Sequence, residues 1–122
     1  MDRIKVILVD DEEEYVTTLS ERMHIRGLET HIALDGEKAL EMVKEQPFDV
    51  MVLDLKMPGI DGISVLKHLK KSHPKIKVII VTGHGSDLER DRSYRHGAFM
   101  YMQKPVDLDE LTKHIQKACT GA

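Results

Sequence analysis

The sequence has few of the features that mark several classes of protein. It contains one cysteine, Cys119, so neither an internal disulfide nor a cysteine-based zinc cage can form. No apolar run approaches the ~20 residues needed to span a bilayer. The amino-terminal stretch Ile4 to Val9 stops at Asp10 and Asp11, unlike a secretory leader. Basic charge is not in excess: the formal net charge is −3, whereas a nucleic-acid grip shows as clustered Lys and Arg. Linkers and low-complexity segments are missing, and no charge block is longer than Asp10 to Glu14. The expectation is a cytoplasmic protein with no membrane segment and no direct nucleic-acid contact. Cys119 is expected to be a half-buried small apolar residue on the last helix.

What is present is the balance of a globular domain. Hydrophobic residues make up 41% and charged residues 32% of 122 residues, enough to build one core and one domain over 1–122. Periodicity divides the chain into five strand–helix repeats. Ile4–Val9, Asp49–Leu53 and Ile76–Val81 are short, continuous apolar runs, as expected of strands buried on both faces. Thr30–Leu34 and Ala98–Met102 read as two further strands. Helical spacing is expected over Glu12–Arg26, with Tyr15, Val16, Leu19, Met23 and Ile25 apolar and Gly27 as a stop. Asp35–Glu45 is the next helix, and a third runs from the Pro58–Gly62 loop to His73–Pro74. Ser86–His96 is a polar helix anchored by Leu88 and Tyr94, and Leu108–Ala118 is the last, capped by Asp107. Such alternation predicts an α/β flavodoxin-like doubly wound parallel sheet in strand order 2-1-3-4-5.

In sheets of this kind, sites form beyond the carboxyl ends of the strands. Strand one is followed by Asp10 and Asp11, strand three by Asp54, strand four by Thr82, and strand five by Lys104 and Pro105. Taken singly, each residue is ordinary: an N-cap, a strand end or a surface charge. Placed together they are not. Three carboxylates at one edge repel, and either one stays protonated or a cation is recruited. Oxygen ligands favour a hard ion such as Mg²⁺, with Mn²⁺ an alternate. A lysine and a hydroxyl at the same point suit phosphoryl transfer, and an aspartate nucleophile would give an acyl phosphate.

The segments VDDEEE (Val9–Glu14), VLDLKMPGIDG (Val52–Gly62), VTGHG (Val81–Gly85) and YMQKP (Tyr101–Pro105) resemble the response-regulator receiver family in order and spacing. That resemblance implies that Asp54 accepts phosphate from a histidine kinase or phosphotransfer protein. It implies direct Mg²⁺ ligation by Asp11, Asp54 and the Lys56 carbonyl, with Asp10 acting through water. Thr82 and Lys104 would bind the phosphoryl oxygens with the amides near Lys56 and Gly83, and the Lys104–Pro105 peptide would be cis. Tyr101 falls on the aromatic switch position, turning inward as Thr82 moves toward the phosphate. The face of helix four, strand five and helix five would then meet a downstream partner or output domain, with phosphorylation-dependent homodimerisation compatible with that scheme. The chain would catalyse its own phosphorylation and dephosphorylation without being a turnover enzyme.

Lys56 and His84 occupy the variable positions two residues beyond Asp54 and Thr82, so the resemblance makes them modulators of the phosphate's lifetime. Helix four, with Glu89, Arg90, Asp91, Arg92 and Arg95, reads as a solvated helix laced with ion pairs; a loosely docked partner surface is the sharper reading. The seven histidines lack ligand spacing and are expected at the surface. Three alternatives are weighed. One is a phosphorylation-independent interaction module, which would lose Asp54, Lys104 or the acidic pair. Another is an aspartyl-phosphate hydrolase, which would place an aspartate where Lys56 stands. The third and weakest is a flavin carrier, which would place a Ser/Thr-Gly phosphate loop after strand one.

Overall fold

The computed structural model describes residues 3–83 and 85–120. Its strands are β1 (Lys5–Val9), β2 (Glu29–Ala33), β3 (Val50–Leu53), β4 (Lys77–Thr82) and β5 (Met100–Gln103). The helices between and after them are α1 (Glu13–Ile25), α2 (Gly36–Glu45), α3 (Gly62–Ser72), α4 (Asp87–Arg95) and α5 (Leu108–Thr120). All four strand pairings are parallel, in the order β2-β1-β3-β4-β5. The fold expected from the sequence is therefore the fold observed.

Alternation along the strands divides the core in two. Ile7, Val9, Met51, Leu53, Val78 and Ile80 face one side, where they pack with Ala39 and Val43 of α2 and Leu66 and Leu69 of α3. Val6, Leu8, Val50, Val52, Ile79 and Val81 face the other and meet Val16, Leu19 and Met23 of α1 and Leu111 and Ile115 of α5. Both faces of the three inner strands are thus buried, which is why their sequences are continuously apolar.

Local chemistry sets where the helices begin. The side chains of Asp35, Asp61, Ser86 and Asp107 accept hydrogen bonds from the amides of Lys38, Ser64, Glu89 and Glu110, each satisfying a donor that the helix leaves open. α1 ends at Ile25, and Gly27 just beyond it takes a φ of 89°, which is strained for a residue with a Cβ.

Several expectations need correcting. Leu88 and Tyr94 do not anchor α4: they are 66% and 42% exposed, and the residue that α4 buries is Ser93. Ser93 Oγ donates back to the Glu89 carbonyl at 2.8 Å, satisfying its hydroxyl inside the helix. Tyr94 instead reaches β5 through its hydroxyl, which accepts the Tyr101 amide at 3.1 Å. Ile25, the last residue of α1, is 83% exposed. Cys119 is exposed, since Ala118 takes the inward position beside it. β5 starts at Met100, two residues later than expected, and β2 at Glu29, one residue earlier. Among the histidines, His114 turns Nδ1 into the protein, buried without a partner.

Candidate phosphoryl-transfer site

Register carries the chemistry to one edge. Val9 pairs with Leu53, so Asp10 and Asp54 leave neighbouring strands together, and the Asp54 amide donates to the Val9 carbonyl at 3.0 Å. Thr82 pairs with Gln103, and the Lys104 amide donates to the Thr82 carbonyl at 2.9 Å. The Lys104–Pro105 peptide is cis. Asp10, Asp54 and Thr82 are all buried, at 5%, 6% and 0% exposure.

The Lys104 ammonium lies among the carboxylates. Its Nζ is 2.8 Å from Asp10 Oδ2, 2.7 Å from Glu12 Oε1 and 3.5 Å from Asp54 Oδ2. Burial alone would lower the pKa of Lys104, but hydrogen bonds from Asp10 and Glu12 and the charges of Asp10 and Asp54 outweigh it and hold the ammonium above the usual lysine range. Asp10 is displaced upward as well. Burial is the largest cause, Lys104 and the Glu12 amide oppose it, and the Asp54 charge adds to it.

Asp10, Glu12 and Asp54 each offer a carboxylate oxygen within 4.8 Å of the others. Such a set of hard oxygen donors fits a small dication, whose charge would offset the burial, and the lesser Asp54 repulsion, that raise Asp10. Glu12 was not singled out from the sequence. Its amide donates to Asp10 Oδ1 at 2.9 Å, and this tight turn folds its side chain back over the site. The only signal was its place in the acidic run after strand one. Asp11, expected as a direct ligand, is exposed and lies outside this group of three.

Of the other expected residues, Lys56 is exposed. Its amide donates to Asp54 Oδ1 at 3.2 Å, and its Nζ stands 3.8 Å from Glu89 Oε1 on α4. His84 lies outside the described residues. Pro105 is exposed, following the lysine into the turn before α5. Tyr101 packs partly against the α2–α3 core, and its hydroxyl is buried beside Gly85 without a hydrogen-bond partner. The ring is thus turned inward. Burial, and after it the Glu89 charge, pushes the Tyr101 phenol up.

Thr82 Oγ1 is buried with no hydrogen-bond partner. An unsatisfied buried hydroxyl costs free energy, so Thr82→Val is expected to raise unfolding stability by about 1 kcal/mol. Urea titration checks this; a variant less stable than the wild type would mean that the hydroxyl is satisfied in solution.

The matches to known proteins agree with this geometry. The family model for the response regulator receiver domain matches residues 6–116. The DNA-binding transcriptional regulator NtrC of Escherichia coli K12 is 38% identical over 119 residues, 97% of this chain and 25% of that protein. The transcriptional regulatory protein ZraR of the same organism is 36% identical over 117 residues, 96% of this chain and 26% of its own length. The chain therefore spans about a quarter of the length of these curated relatives. Among solved structures, a CheY-like receiver domain protein of Methanospirillum hungatei superposes with a TM-score of 0.94 at 26% identity, covering 98% of this chain and 96% of that one. A receiver domain from Clostridium thermocellum gives 0.91 at 32% identity, covering 97% and 95%. Five parallel strands in this order, an acidic edge and a family match over nearly the whole chain lead to one conclusion: the chain belongs to the response regulator receiver domain family.

Proposed function

We propose that residues 1–122 form a single phosphoacceptor domain, and that Asp54 takes a phosphoryl group from the phosphohistidine of a histidine kinase or phosphotransfer protein. The observation that carries this reading is the buried Asp54 carboxylate 3.5 Å from the Lys104 ammonium. A carboxylate oxygen of Asp54 attacks phosphorus, the phosphorus–nitrogen bond breaks, and the imidazole leaves with its electron pair and takes up a proton. The product is an acyl phosphate. Hydrolysis returns the carboxylate and releases inorganic phosphate, so the chain catalyses its own two half-reactions and turns over no external substrate.

Asp54 and Asp11 with the Lys56 carbonyl, and Asp10 through water, are the proposed Mg²⁺ holders, and the position of Glu12 adds a further carboxylate. Bound there, the ion supplies charge neutralisation for the phosphoryl oxygens. Thr82 would donate its unpaired hydroxyl to a phosphoryl oxygen, and Lys104 would turn from Asp10 and Glu12 toward the new charge. Lys56, drawn the same way, would loosen its contact with Glu89 and so alter the seating of α4. Such a shift biases the α4–β5–α5 face toward a partner or output domain. No helix among the described residues is long and apolar enough to cross a membrane, in keeping with a cytoplasmic site of action.

Intact mass after incubation with acetyl phosphate and Mg²⁺ tests the proposal. The wild type is expected to gain one phosphoryl group, and neither Asp54→Asn nor metal-free protein should. A folded wild type that gains none, and does not bind beryllofluoride either, would leave the phosphorylation-independent module as the better account.

A further inference from the structure

Tyr15 stands in the first turn of α1, where helical spacing marks it as a core residue. Its ring does pack partly against the α1–α5 core. The same ring also lies under the site: Lys104 Nζ is 4.6 Å from its centroid. The phenol oxygen is buried without a hydrogen-bond partner, so the hydroxyl holds the ring by no directional bond and packing alone fixes its plane.

From this geometry we infer that Tyr15 is a positioning residue for Lys104, its ring face forming a platform that keeps the ammonium at the carboxylate edge. The inference rests on the phosphoacceptor reading above and deepens it. Lys104 reaches the site from the turn after β5 on a stem with several free rotors, which is costly to order. Its anionic partners cannot fix it throughout the reaction. In this structure it is shared among Asp10, Glu12 and Asp54, and each of these changes its electrostatic demand when a dication or a phosphoryl group arrives. The negative face of an aromatic ring attracts a cation within about 6 Å of its centroid and does not titrate or coordinate metal in doing so. Tyr15 therefore offers one neighbour that stays constant while the ammonium turns from Asp10 and Glu12 toward Asp54. It also ties the turn after β5 to α1, two elements that the sheet alone does not join.

Phenylalanine keeps the ring face and loses only the unpartnered hydroxyl; leucine and methionine fill the space without a π face. The experiment compares Tyr15→Phe, Tyr15→Leu and Tyr15→Met by the rate of acetyl-phosphate labelling and by the NMR shift of the Lys104 ε-methylene protons, which a ring face moves upfield. The expected result is labelling within twofold of wild type and a retained upfield shift for Phe. Leu and Met should label roughly tenfold more slowly and lose the shift. Methionine, unbranched and adaptable, serves if the leucine variant does not fold. Wild-type labelling and an unmoved Lys104 shift in the Leu or Met variant would overturn the proposal, as would a Phe variant as slow as Leu. The NMR arm stands by itself. A shift present in wild type and Phe but lost in Leu upholds the platform even where no protein takes phosphate, a result that overturns the Asp54 reading instead.

Discussion

Replacing Lys104 by methionine is expected to lower folding stability by about 3 kcal/mol at neutral pH, the lower end of the range for breaking a buried ion pair. Methionine keeps much of the stem's packing, so the loss isolates the charge. Asp10 and Asp54 are left buried without their ammonium, while Glu12, being exposed, regains water. The lower figure follows from that one solvated partner.

The pH dependence has a definite sign. Burial already raises Asp10, and Lys104 is the largest influence lowering it, so in the variant the folded pKa rises further. A carboxyl raised in the folded state contributes stability that is fully present below its unfolded pKa, near 4, and is lost as pH rises through the folded value. The deficit of Lys104→Met should therefore be small near pH 4 and grow toward neutrality. Mg²⁺ should restore part of it by binding only the folded protein. Urea titrations at pH 4 and pH 7, with and without Mg²⁺, check both. An equal deficit at both pH values would mean that lost packing, and not lost charge, sets the cost.

The fold was legible because its signals are redundant. Each inner strand is apolar on both faces, Asp107 caps the last helix as expected, and strict alternation leaves one common topology. Asp10, Asp54, Thr82 and Lys104 were legible for a related reason: topology alone carries strand ends to one edge. What escaped was side-chain direction. Tyr15 fits a helical stripe, and nothing in its spacing says that the ring extends to the end of a lysine eighty-nine positions further on. Glu12 is one of three glutamates in a row, and only the turn closed by its amide on Asp10 selects it. Leu88 and Tyr94 misled in the opposite sense. Their apolar character suggested anchors, but α4 lies against the edge strand β5, where a serine is small enough to face inward and a phenol hydroxyl can cap a strand amide.

The same edge of the sheet yields the second large effect, at Gly85. A Cβ built on Gly85 would coincide with the Tyr101 hydroxyl and crowd Thr82 Cγ2. The Gly85 carbonyl meanwhile accepts the Gln103 side-chain amide at 3.1 Å, which ties this loop to β5. Backbone and ring are thus fitted together with no room for a methyl group. Gly85→Ala is expected to expel the Tyr101 ring from its inward position in nearly every molecule, at a stability cost of roughly 2 kcal/mol for the lost aromatic burial. The phenol reports the swing. Burial and the Glu89 charge raise it in the wild type; once the ring is outside, it should titrate near the ordinary value of about 10. A phenol raised in the folded state contributes stability present below about 10 and lost as pH climbs through the folded pKa. The wild type should therefore lose stability in that alkaline window, and Gly85→Ala should be nearly flat there. A ¹³C titration of the Tyr101 Cζ resonance in both proteins measures the difference. If the phenol stays elevated in Gly85→Ala, the loop has moved instead of the ring. Gly85 would then be the part that yields and the Tyr101 ring the part that stays, the reverse of the order expected here.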